Sequence, residues 1–140
     1  VAISNENIKL ALTETKLGLI PATISPYVIS KIGSSNAIDL FTSARTFFPP
    51  EAKNIGLIKS FCNEENIDNV INEEAHFFLV NGPSAVSASK NLVRNLSAKI
   101  DEDTIKFTVE ALADVWENPE SIEGINAFFE KRKPNWIMEK

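Results

Sequence analysis

The chain has 140 residues, 44% of them hydrophobic, and a formal net charge of −5, the balance of a folded protein with enough apolar material for one core. With 14 Lys and Arg against 19 Asp and Glu, it lacks the basic face that phosphate neutralisation requires, which excludes a general nucleic-acid binder. No apolar run approaches membrane-spanning length and no basic stretch leads into an apolar one as in a signal peptide, so a soluble, cytoplasmic protein with no membrane partner is expected.

Residues 1 to 4 and 8 to 12 are short runs rich in Val, Ile and Leu on either side of Asn5-Glu6-Asn7, the pattern of strand, turn, strand. The chain opens on Val1-Ala2-Ile3 as though cut out of a strand. Ser25 followed by Pro26 predicts a helix N-cap and first helical position, and Gly33 closes that helix after Val28, Ile29 and Ile32. A second helix is expected from about Ser35 to Thr46, with Ala37, Ile38, Phe41 and Ala44 on one side, until Pro49-Pro50 forces an extended break. Glu51 to Leu57 reads as a short helix and Ile58 to Cys62 as a short strand. Cys62, the single cysteine, cannot form an internal disulfide, and beside Ile58 and Phe61 it reads as a buried, reduced thiol.

From residue 63 the pattern changes to amphipathic helices. The first carries Ile67, Val70, Ile71, Ala75 and Phe78 at three- and four-residue steps and ends at Gly82-Pro83. A more polar helix follows over about 83 to 99 with Val86, Val93, Leu96 and Ile100. A third, about 103 to 117, shows Ile105, Val109, Leu112 and Trp116 before Asn118-Pro119 breaks it, and a last helix runs from Ile122 to about Arg132. Trp116 reads as a helix-packing residue and Trp136 as a tail anchor. Two or three short strands leave unpaired edges, so the fold class expected is α/β and only the second half of a larger domain, unless a partner supplies more strands. The organisation expected is a core portion over residues 1–62 and a helical portion over 63–140 that serves oligomerisation.

Chemistry-bearing residues are few. Glu14 lies next to Leu12, Leu17 and Ile20; desolvation there would favour its neutral form and suit it to proton exchange, whereas a solvated turn glutamate beside Lys16 fits the same residues. Lys131, Arg132 and Lys133 are the densest basic cluster, suited either to phosphate or to complementing a helix C-terminus. His76, the only histidine, has no second ligand at metal spacing, so no metal site is expected. No glycine-rich phosphate loop and no Ser/His/Asp arrangement is present.

The string Thr13-Glu14-Thr15-Lys16-Leu17-Gly18-Leu19-Ile20-Pro21-Ala22 resembles the crotonase (enoyl-CoA hydratase/isomerase) superfamily, in which a glutamate precedes a Leu-Gly-Leu-x-Pro turn and a helix. Lys31-Ile32-Gly33 with Ala37, then Phe41-Thr42, Glu51-Ala52 and Ile55-Gly56-Leu57 keep the family's order, and Glu123-Gly124-Ile125-Asn126-Ala127-Phe128-Phe129-Glu130-Lys131-Arg132-Lys133-Pro134 is similar to its C-terminal signature. The wording from Lys16 to Ile29 is most similar to hydratases of methylglutaconyl-CoA and related branched esters. Ala22-Thr23-Ile24-Ser25 stands where many relatives have glycines.

The resemblance implies a crotonase-like spiral fold and an enoyl-CoA hydratase of which this is the C-terminal portion, with an acyl-CoA thioester as substrate and no cofactor. It implies Glu14 as the second catalytic glutamate and Ala22 as a backbone N–H donor towards the reacting water. A plain Pro-Ala helix approach fits Ala22 as well. Phe128 and Lys131 match positions that reach a neighbouring subunit's CoA in trimers and hexamers, so a homo-oligomer is implied. The two oxyanion-hole N–H groups and the first catalytic glutamate fall upstream of Val1 by motif order, leaving this chain inactive alone. An enoyl-CoA isomerase and a non-catalytic helical assembly module are the competing functions.

Overall fold

The computed structural model describes residues 1–97 and 99–137. In chain order its elements are β1 (Ile3–Asn5), a 3-10 turn (Glu14–Leu17), α1 (Ser25–Ser43), α2 (Pro49–Asn54), β2 (Ser60–Cys62), a 3-10 turn (Glu64–Asn66), α3 (Ile67–Leu79), α4 (Pro83–Leu96), α5 (Glu102–Trp116) and α6 (Pro119–Phe129). They form two compact units, one from Val1–Lys9 with Phe47–Lys99 and the other from Leu10–Thr46 with Ile100–Lys140. These boundaries differ from the one expected at residue 62, because each unit combines an early segment with a late one.

In the first unit β1 and β2 pair in parallel, with Ile3 opposite Ser60, Ser4 opposite Phe61 and Asn5 opposite Cys62. The Lys59 N–H to the Ala2 carbonyl and the Glu6 N–H to the Cys62 carbonyl, both 2.8 Å, extend the ladder at its two ends. Residues 8–12 do not form the strand expected of them; Leu10 alone makes an isolated bridge. A strand persists only where a neighbour satisfies its backbone. The pair Pro49-Pro50 begins α2 rather than breaking the chain: Phe48 is extended, and the missing N–H groups fall where a helix has no internal partner for them. Phe47, Pro49 and Ala52 form the buried centre of this unit. Cys62 is half-buried. The helices α3 and α4 carry no buried residue, and Leu79 and Leu96 are 80% and 79% exposed.

In the second unit α1 runs through Gly33, whose φ of 77° and ψ of 161° break the helix into the two stretches the sequence implies. Val28 and Ile32 before the break, and Ala37 and Leu40 after it, are buried. Ser25 is not the N-cap: Ile24 holds that position, and the Ser25 hydroxyl donates to the Ala22 carbonyl at 2.9 Å. α5 is capped by Asp101, whose carboxylate accepts from the Thr104 N–H at 3.0 Å and the Thr104 hydroxyl at 2.8 Å. α6 starts at Pro119, earlier than expected, because Asn118 caps it by accepting from the Glu120 N–H at 3.1 Å. Its other end is a Schellman closure, with Lys131 left-handed at φ 54° and the Arg132 N–H donating to the Ala127 carbonyl at 3.0 Å. No helix among the described residues is long and apolar enough to cross a membrane.

Candidate active site

Glu14 opens the 3-10 turn of the second unit, and that turn is held from two sides. Gly18 closes it in a left-handed conformation, φ 68°, which spares any side chain the strain. The Thr15 hydroxyl donates to the Phe41 carbonyl at 2.9 Å, tying the turn to α1. On the other side lies the start of α6. The fully buried Ser121 hydroxyl sits 2.9 Å from the Gly18 carbonyl oxygen and also within reach of the Val115 carbonyl. Glycines permit this approach: a Cβ on Gly18 would come within 2.6 Å of the Glu120 oxygen, and one on Gly124 would strike the Leu17 carbonyl.

Held this way, Glu14 is half-buried and lines a cavity of about 280 Å³ with the run Leu19 to Ile24, Leu112 and Trp116. Its Oε2 is enclosed and accepts no hydrogen bond among the described residues. The apolar surroundings expected of this glutamate are therefore present, but two of their walls, Leu112 and Trp116, come from α5 and not from its sequence neighbours Leu12 and Leu17. Carboxylate oxygens enclosed by apolar walls lose hydration, so this one is left to whatever polar group enters the cavity.

Ala22 lines the same cavity and is buried. Its N–H donates to the Ile20 carbonyl at 2.8 Å, closing a three-residue turn, so in this conformation that donor is engaged within the chain. The structure thus brings Glu14 and Ala22 together. It leaves Phe128 and Lys131 outside the cavity, at the far end of α6, where Phe128 is 66% exposed and meets Phe129 edge to face at 5.7 Å.

The basic cluster is only partly available. Arg132 forms a fork with Glu123, 2.6 Å and 2.8 Å, and donates to Glu130 at 2.6 Å. Hydrogen bonding from Arg132, reinforced by the Asn135 N–H and the guanidinium charge against some desolvation, holds the Glu123 carboxyl down at about 2, while Arg132 is raised from its ordinary value by the same partners. This fork folds the segment after α6 back onto the helix. His76 is exposed on α3, and among the described residues no group of three or more His, Cys, Asp or Glu is placed to hold a metal.

Sequence reasoning missed Ser121, Gly124 and Leu112 as parts of this site. Leu112 and Trp116 carried a signal, their four-residue spacing on one face of α5, but that spacing does not say what the face covers.

The family model for enoyl-CoA hydratase/isomerase matches residues 1–139. Mitochondrial methylglutaconyl-CoA hydratase of Mus musculus is 31% identical over 142 residues, covering 97% of this chain and 45% of that protein. Short-chain-enoyl-CoA hydratase of Clostridium acetobutylicum is 28% identical over 135 residues, covering 95% and 51%. Among solved structures, an enoyl-CoA hydratase from Mycobacterium avium superposes with a TM-score of 0.84 at 29% identity, covering 98% of this chain and 54% of that one. The chain spans about half the length of the curated relatives it matches. The α/β, crotonase-like fold expected from the sequence is the fold of these neighbours over that half, and the chain belongs to the enoyl-CoA hydratase/isomerase family.

Proposed function

We propose that this chain supplies Glu14 as one of two carboxyl catalysts of an enoyl-CoA hydratase, which adds water to the double bond of a 2-enoyl-CoA thioester. As the water oxygen bonds to Cβ, one carboxylate takes its proton; the π electrons move towards Cα and the thioester carbonyl, and a carboxylic acid delivers a proton to Cα. Backbone N–H donors outside this chain meet the charge on the thioester oxygen. The substrate and one water account for every atom of the 3-hydroxyacyl product, so no cofactor takes part. On this reading the 140-residue chain by itself is inactive.

The observation that carries the proposal is the enclosed, unbonded Oε2 of Glu14 in an apolar cavity that also receives Ala22. Ala22 serves as a water donor only if the turn to Ile20 opens; otherwise it acts as a wall. Phe128 and Lys131 contact a neighbouring subunit's CoA in a homotrimer or hexamer, and the exposed apolar side chains of α3 and α4 suit such an assembly. An isomerase would use Glu14 differently, carrying one proton between carbons without fixing water.

The test is loss of enoyl absorbance with crotonyl-CoA, using the intact polypeptide that carries this sequence. Glu14→Gln lowers kcat by about 10²–10⁴-fold, with a thermal midpoint equal to or above wild type because an enclosed carboxylate has been neutralised. Unchanged turnover in Glu14→Gln overturns the proposal. Double-bond migration without a hydroxyacyl product selects the isomerase.

A further inference from the structure

From Ala75 to Ile100 the sequence contains no Asp or Glu, although the chain holds 19 of them. The charges of this segment are Lys90, Arg94 and Lys99, all exposed, and none of the three is in an ion pair among the described residues. The net charge of −5, which argues against a membrane partner, averages over a segment of the opposite sign. Apolar side chains accompany these cations. α3 ends on Phe77-Phe78-Leu79-Val80, each of them half or more exposed, and at 3.6 residues per turn four successive side chains point all round the axis. Along α4 the same period puts Val86, Leu92, Val93 and Leu96 on one side, interrupted by Ser89, and Ser84, Ser87, Asn91 and Asn95 on the other. Lys90 and Arg94, one turn apart, stand at the border between the two. A groove of about 620 Å³ runs between the end of α3 and α4, with Phe78, Val86 and Val93 among its walls and both cations lining it.

We propose that α4 and the end of α3 form a docking surface for a bilayer rich in anionic phospholipid. α4 lies in the plane of the headgroups, its apolar side and the end of α3 enter the acyl boundary, and Lys90, Arg94 and Lys99 meet lipid phosphates. Such a contact needs no spanning helix. The charge pattern selects this occupant. Two copies meeting symmetrically through the segment would set Lys90 and Arg94 against the same cations, and a nucleic acid would engage the cations but leave Leu79, Val80 and Leu96 in water. An anionic bilayer takes both kinds of group at once. Each cation at such a surface contributes about fivefold in binding, equivalent to ~1 kcal/mol. The acidic remainder of the chain is repelled by the same surface, so this segment also fixes which way the protein faces. The proposal is independent of the chemistry at Glu14.

The test is co-sedimentation of the intact polypeptide with vesicles of phosphatidylcholine alone or mixed with phosphatidylglycerol, at low and at high salt. At low salt, partition onto the mixed vesicles exceeds that onto phosphatidylcholine by about tenfold or more, and the advantage shrinks to about threefold or less at high salt. Lys90→Gln combined with Arg94→Gln lowers partition onto the mixed vesicles by about tenfold or more. Leu79→Ser combined with Leu96→Ser, at two exposed positions whose side chains the fold does not bury, lowers it by about threefold or more. Lys106→Gln on α5 changes it less than about twofold. Absence of partition, equal partition onto the two kinds of vesicle, or an equal loss in Lys106→Gln overturns the proposal. So does a fall in sedimentation-equilibrium mass in the Lys90→Gln, Arg94→Gln protein, which would make the segment a face between subunits.

Discussion

The Gly18 carbonyl and the Ser121 hydroxyl, 103 positions apart in the chain, meet at 2.9 Å and join the turn that presents Glu14 to the first turn of α6. Gly124, one helical turn further on, lets the α6 backbone lie against Leu17. The catalytic candidate is thus positioned by small residues of a distant helix. Gly124→Ala places a methyl group into the Leu17 backbone and is expected to cost about 1–3 kcal/mol. Because relief comes by moving the turn, kcat of the intact polypeptide on crotonyl-CoA falls along with the thermal midpoint if Glu14 is the catalyst proposed above. Ser121→Ala, which leaves buried carbonyls with one donor fewer, costs about 1–3 kcal/mol by denaturant titration.

Gly33 makes a different prediction from an ordinary helix glycine. A Cβ there would meet nothing within 4 Å, yet φ is 77° and ψ 161°, a region that side chains disfavour strongly. Gly33→Ala should destabilise by about 1–3 kcal/mol through backbone strain alone. A substitution that instead stabilised, as alanine does in a regular helix, would mean the break at Gly33 is absent in solution.

The Glu123–Arg132 fork sets an acid-side limit on stability. Folding lowers the Glu123 carboxyl from 4.5 to about 2, so its contribution is fully present above about pH 4.5, declines as the pH falls, and is gone below about 2. Thermal midpoints of wild type and Glu123→Gln should differ by a constant amount above pH 5 and converge as acid is added towards pH 2. A gap that widened on acidification would contradict the fork.

Lys131 separates capping from binding. Its left-handed φ of 54° closes α6 and favours glycine, so Lys131→Gly should stabilise by about 1 kcal/mol. If the lysine also meets a phosphate of CoA, the same substitution raises KM for the thioester severalfold with little change in kcat. A higher melting temperature with an unaltered KM would assign Lys131 to the helix end alone.

The sequence was most legible where the physics is local. Repeats of three and four residues located α3 to α5, Asn118-Pro119 marked the end of α5 though not the start of α6, and Gly33 announced the break in α1. Glu14 stood out through its motif. What could not be read was pairing at long range: residues 8–12 look as strand-like as 1–4, but only the latter find a parallel neighbour, at residues 60–62. The charge of the 131–133 cluster was equally visible, whereas the commitment of Arg132 to Glu123 depends on the turn after α6 bringing them together. The second wall of the Glu14 cavity is likewise a tertiary fact, written in α5 a hundred residues away.

The closure of Gly18 against Ser121 also sets a clock for biosynthesis. Translation at about 5–20 residues per second leaves about 5–20 seconds between the appearance of the turn and that of the helix which holds it. During that interval Leu19 and Ile20, which share the Glu14 cavity with Leu112 and Trp116, have no late helix to rest on. Late-forming order at the turn that presents Glu14 follows from where the ribosome makes its support.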